Sequence, residues 1–240
     1  MKLPQAAHAT RLLVDCGVVM APLFIGTALV EGQRRRDYSA RRQPVSALAL
    51  GDAGWIQRVN FFAAGTLTCL FAAGVRRARV RTVPVVAPWL LGAAGLGLIS
   101  AGIFATDPVN GYPPGVPDRM DHRTRTGVVH DLSAVPVMIG VPVLAVVTGV
   151  DAARRSERRW AGYSLATGLV SLVAFIASGA GFGGGEPFAR RAGLLQRIGI
   201  VTAFGWISYF ALRVRSLCAT GPRALASDRT SGRGLPQRGS

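Results

Sequence analysis

Apolar residues in this chain come in long blocks instead of the short alternations of a soluble fold. Six windows approach the roughly 20 apolar residues that a helix needs to cross a bilayer. They run from about Leu12 to Val30, Trp55 to Val75, Val85 to Ala105, Val128 to Val150, Ala161 to Ala180 and Leu194 to Leu212. None has the strict period of two of a barrel strand, and lipid leaves helices as the other way to satisfy the backbone. The pattern predicts an all-α membrane protein, a bundle of six transmembrane helices with short loops, occupying residues 1–218. The rest, "ATGPRALASDRTSGRGLPQRGS" at 219–240, is polar, basic and rich in Gly, Ser and Pro. It offers too little apolar surface to offset its chain entropy and is expected to be a disordered tail.

Composition agrees with a lipid-solvated chain. Half of the 240 residues are hydrophobic and 17% are charged, below the quarter typical of soluble domains. The net charge of +16 would suggest nucleic acid in a soluble protein. Here the arginines flank spans instead of interleaving with aromatics on one surface, so nucleic acid is not an expected partner. The bilayer is, with anionic lipid head groups as a further partner for the basic tail. Lys and Arg also set orientation. The N-terminus, loops two and four and the tail hold sixteen of them, against ten in loops one, three and five. Both termini are therefore expected in the cytoplasm of a multi-pass plasma membrane protein. The first loop, "EGQRRRDYSARRQ", with five arginines on the outer side, contradicts that orientation. Cys16 and Cys69 fall in spans and Cys218 near the tail, so no extracellular disulfide is expected. The first span lacks a convincing cleavage site and reads as a retained helix.

Ionisable residues inside spans are costly and therefore informative. With this topology they gather at one end. Arg58 and Asn60 lie in the first turns of the second span, Asp107 closes the third, His130 and Asp131 open the fourth, Glu186 precedes the sixth, and Gln196 and Arg197 open it. Pro108 disfavours helix at the residue before it, so the third span should stop at Asp107. A carboxylate there meets the negative end of the helix dipole and needs a partner. Arg58 is the first candidate; the free N–H groups opening the fourth span are the second. The segment "DPVNGYPPGVP" that follows should be a stiff strap, with Pro108, Pro113 and Pro114 favouring extended chain and Gly111 and Gly115 allowing turns around Tyr112. Thr124 or Thr126 can cap the next helix. His130 and Ser133 share a face of it, with Asp131 about 100° round.

No residue spacing in this group supports a metal site, a haem or another cofactor: H-x-x-x-H and C-x-x-C are absent, and His130 is the only histidine in a span. A Ser133 nucleophile with a His130 base fits by spacing alone. No catalytic residue is assigned. Ser164, Thr167, Gly168, Ser171 and Ser178 along the fifth span, and Gly92, Gly95 and Gly102 in the third, read as close-packing positions. Pro136 and Pro142 should bend the fourth span.

The stretches "SALALGDAGWIQRVNFFAAG", "GAAGLGLISAGIFATDPVNGYPPGVP" and "TGVVHDLSA" resemble the DUF998 family of bacterial and archaeal integral membrane proteins of unknown function. The matching positions are Ser46, Gly54, Trp55, Phe61, Gly95, Gly97, Gly102, Phe104, Asp107, Pro108, Gly111 to Gly115, Gly127, His130 and Asp131. The resemblance implies a six-helix fold with an outward-facing polar group around Asp107 and His130. It implies no activity. Three functions compete: a structural or regulatory membrane component whose polar cluster joins helices; a lipid-directed enzyme, metal-assisted in one version, using His130 and Asp107; and a small-solute or proton carrier.

Overall fold

The computed structural model describes residues 3–117 and 122–231. Its helices are α1 (Leu3–Arg34), α2 (Gly54–Ala78), α3 (Ala87–Ile103), α4 (Arg125–Val135), α5 (Val141–Arg154), α6 (Arg158–Phe182) and α7 (Ala192–Ser231). A π-helical turn, Pro136–Gly140, joins α4 to α5, so Arg125–Arg154 is one continuous apolar stretch. The helices pack in a ring in chain order: α1 on α2, α2 on α3, α3 on α4, α5 on α6, α6 on α7, and α7 back on α1. No strand occurs among the described residues.

Five of these stretches have the length and apolarity to cross a membrane. The third expected span does not: α3 holds 17 residues, about 25 Å of helix at 1.5 Å per residue, against a hydrocarbon core of roughly 30 Å. Proline sets both limits. Pro84 lies before the helix and Pro88 in its first turn, while Phe104 is already extended ahead of Pro108. In the fourth span, Pro136 and Pro142 lack the N–H groups that a regular ladder would need. The ladder slips by one residue there, and the Val141 N–H reaches Pro136 O.

Side chains sort as lipid demands. Phe24, Phe71, Phe204 and Trp206 are fully buried, whereas Leu96, Leu132, Val173 and Ile176 face outward at 60% exposure or more. Large apolar side chains on the outside of a bundle belong against acyl chains. Where α2 meets α3, the contact is backbone on backbone. A Cβ on Gly65 would come within 2.6 Å of Gly95 O, and one on Gly95 within 2.8 Å of Gly65 O. Small residues permit this approach, which dispersion then stabilises.

The strap between α3 and α4 differs from an extended proline rod. It makes two consecutive turns, with the Tyr112 N–H on Val109 O at 3.4 Å and the Val116 N–H on Pro113 O at 3.3 Å. Asn110 and Gly111 both have positive φ, 55° and 71°, the signature of a type I′ turn, for which Asn-Gly is the preferred pair. The Tyr112–Pro113 peptide is cis. Tyr112 is tucked inward, 4% exposed.

Candidate functional site

Asp107, just beyond α3, meets the first residue of the α4 cap. Its Oδ2 accepts the Thr124 N–H at 3.0 Å and its Oδ1 accepts the Thr124 Oγ1–H at 2.5 Å. Thr124 Oγ1 in turn accepts the Gly127 N–H at 3.0 Å, as an N-cap should. A negative charge at the positive end of α4 is favourable, so the carboxylate that α3 would repel is accommodated by the next helix. Gly127 completes the fit, because a Cβ there would overlap the Asp107 carboxyl group.

His130 lies one turn further along α4 and is 4% exposed. Its Nδ1 is 2.9 Å from Phe104 O. A carbonyl only accepts, so Nδ1 carries the proton in this bond. The Phe61 ring stands edge-on to the imidazole at 6.0 Å. One turn beyond, Ser133 Oγ donates to Val129 O and sits 2.6 Å from Ser100 Oγ of α3.

Arg58 does not pair with Asp107. Its Nε donates to Gly102 O at 3.0 Å and an Nη to Ile103 O at 2.9 Å. The carbonyls of 102, 103 and 104, left without helical partners at the end of α3, are thus taken by Arg58 and His130. Asn60 is elsewhere too: buried in the bundle, it donates to Phe24 O at 3.1 Å and Gln57 Oε1 at 3.3 Å. Asp131 points outward into an ion pair with Arg123, both side chains more than half exposed. The expected group of Asp107, His130, Asp131, Arg58 and Asn60 therefore separates: Asp107 and His130 join the end of α3 to the first turns of α4 with Arg58 alongside, Asn60 lies inside the bundle and Asp131 faces away. Among the described residues, no three His, Cys, Asp or Glu side chains are placed to hold a metal.

A second polar group at this end has no motif. The loop from 35 to 53 folds over the bundle as a plug, fastened by Arg35 and Arg197. Arg35 donates to Leu50 O at 3.0 Å, Leu48 O at 3.1 Å and Tyr112 Oη at 3.1 Å, and pairs with buried Glu31 at 3.5 Å. Arg197 donates to Ala40 O, Gln43 O and Gly193 O at 2.7, 2.9 and 3.0 Å, and to Tyr38 Oη. Tyr38 donates to Pro44 O at 2.8 Å. Burial pushes its phenol above the ordinary range, against the opposing pull of Arg197, so it stays a neutral donor. Gln196 accepts the Val45 N–H at 2.8 Å, and Asn110 and Gln43 bridge strap to plug. Glu186 is exposed on the surface loop before α7.

These features define an integral membrane protein built from apolar helices, with a hydrogen-bonded cap at one end. The chain belongs to the family described as "Protein of unknown function (DUF998)", whose model matches residues 18–213. No curated protein and no solved structure matches it.

Proposed function

We propose that the chain is a six-span plasma membrane protein with a structural or regulatory role, and that its Asp107, Thr124 and His130 act as a latch holding the outer half of the fourth span onto α3. One observation carries this reading: every polar group in the latch is spent on a helix end. Asp107 takes donors that begin α4, and His130 and Arg58 take carbonyls that finish α3. The substantial helix partner of α4 is α3, so few other contacts hold α4 in place. Both termini, including the basic 219–240 stretch, into which α7 continues as far as Ser231 where the composition predicts a disordered tail, lie in the cytoplasm in this reading, and the strap faces outward.

The lipid-directed enzyme reading is less well supported, because His130 is buried and its Nδ1 is committed to Phe104 O. A carrier would need ionisable groups along a path, and the buried ones here are held at the bundle end.

The test is the abundance and thermal stability of Asp107→Asn and His130→Phe in membranes. Both should fall. Wild-type abundance and melting temperature in both variants would refute the latch, and a cellular phenotype lost at unchanged stability would move the assignment to chemistry at His130.

A further inference from the structure

The opposite end of the bundle holds a different kind of polar group. Thr82 in the loop after α2, Thr148 of α5, Arg155 and Glu157 between α5 and α6, Trp160 of α6 and Arg213 of α7 line a narrow cleft of about 10 Å³, room for one water-sized group. Arg155 and Arg213 share the single carboxylate of Glu157, Arg155 through Nε at 3.1 Å. Arg155 also donates to Thr82 O at 3.0 Å, and the Arg213 guanidinium lies 5.1 Å above the Trp160 ring. Two cations against one anion leave a net positive cleft. Both arginine side chains are about one-third exposed and lie at the opening.

The hydroxyls provide the second observation. Thr68, Thr167 and Thr202 all turn their hydroxyls back onto the carbonyl four residues earlier, the usual solution for a threonine in an apolar helix. Thr148 does not. It is 1% exposed, and its Oγ1 has no partner. Thr82 Oγ1, across the same cleft, is buried and without a partner as well. Two donors thus await an acceptor beside two arginines. Tyr163 and Tyr209 stand 5.2 Å apart beside Trp160, half-exposed at the same level. Such an aromatic group marks the height of lipid head groups.

We propose that the mouth of this cleft binds a phosphate group, supplied by the head group of an anionic phospholipid: one oxygen enters to accept from Thr148 and Thr82, the others accept at the opening from Arg155 and Arg213, and Glu157 holds the two arginines in place. Arginine forks suit phosphate geometry.

The test uses the full chain in nanodiscs of phosphatidylcholine, with or without phosphatidylglycerol, followed by thermal unfolding and by lipid retention in native mass spectrometry. Phosphatidylglycerol should raise the melting temperature and be retained. Thr148→Val and Arg213→Gln should each weaken its retention by roughly tenfold, with partial recovery in Arg213→Lys. Thr148→Val is nearly isosteric and buries no new polar group, so it carries the test if Arg213→Gln does not accumulate. Inorganic phosphate added to protein in phosphatidylcholine separates the sources. An equal gain that the same variants abolish supports phosphate recognition and overturns the lipid as its supplier. Unchanged phosphatidylglycerol retention in Thr148→Val overturns the site. So does a gain in stability by that variant that is equal in both lipids, since the cleft would then hold only an unsatisfied hydroxyl.

Discussion

Arginines occur at both ends of this bundle and do opposite work. At the strap end, Arg35, Arg58 and Arg197 donate to seven backbone carbonyls between them. At the far end, Arg155, Arg213 and Arg215 pair with Glu157 and Asp15, and Arg213 rests on an aromatic ring. The first group is consumed by the fold; the second remains available to the surroundings. A count of Lys and Arg treats the two alike, although of the five arginines in loop one Arg35 is taken up by the fold, while Arg34, Arg36, Arg41 and Arg42 are exposed. Arg35, with its side chain 12% exposed, neutralises Glu31 and caps carbonyls inside the plug. It has little part in any interaction with lipid head groups.

The comparison breaks most severely at Arg197. Replacing it with Ala leaves three loop and helix carbonyls and the Tyr38 hydroxyl without their donor, at about 1.5–3 kcal/mol for each hydrogen bond to a charged group, not fully additive. Loss of several kcal/mol, read as melting temperature in detergent and as membrane abundance, is expected. Arg197→Lys should recover only part, since an ammonium lacks the planar fork that reaches carbonyls on two segments. Arg213→Ala, by contrast, should cost about 1 kcal/mol or less, because its partly exposed ion pair is screened.

Next is Asp107. Asp107→Ala should cost roughly 1–3 kcal/mol through the stranded Thr124 donors and the lost charge at the α4 N-terminus. In a double-mutant cycle with Thr124→Val, the two losses should be clearly sub-additive, which unfolding midpoints would detect. Additive losses would mean that the two side chains act separately. Gly127→Ala should be damaging by about 1–3 kcal/mol, because its methyl group overlaps the same carboxyl group; combined with Asp107→Ala, which vacates that space, most of the penalty should disappear.

Much of this architecture is legible in the chain because lipid imposes a simple rule on long segments. The apolar blocks mark the helices and Thr124 marks where α4 starts, whereas α3 stops at Ile103, ahead of the Asp107 to which Pro108 pointed. What fails is anything that depends on distance in sequence. Arg197 meets Ala40 and Gln43 across about 150 residues, and its acceptors are backbone carbonyls, which every residue carries and no pattern reveals. By its place in a span Arg58 is the expected partner of Asp107, yet the carbonyls at the end of α3 lie closer and need a donor just as much. The Asn110–Gly111 dipeptide did contain a readable signal for the turn, obscured by the prolines beside it. The π-turn follows from two prolines six residues apart, but their sequence indicates a bend without saying which ladder bond slips.

The smallest expected effect is at Asp131, and it separates sequence from structure most cleanly. By position it belongs with His130, its neighbour in the chain, and a cluster built on both would make the two residues equally sensitive. Helical geometry turns them about 100° apart, which places His130 in the bundle and Asp131 outside, against Arg123, with more than half of each side chain exposed. An exposed pair of this kind contributes at most about 0.5 kcal/mol after screening and side-chain entropy. Asp131→Asn should therefore melt within a degree or two of wild type, whereas His130→Phe strands Phe104 O and should melt well below it. Equal losses at the two positions would place Asp131 inside the latch and require α4 to be rotated about its axis from the arrangement described, with Gly127 then moved off the Asp107 carboxylate.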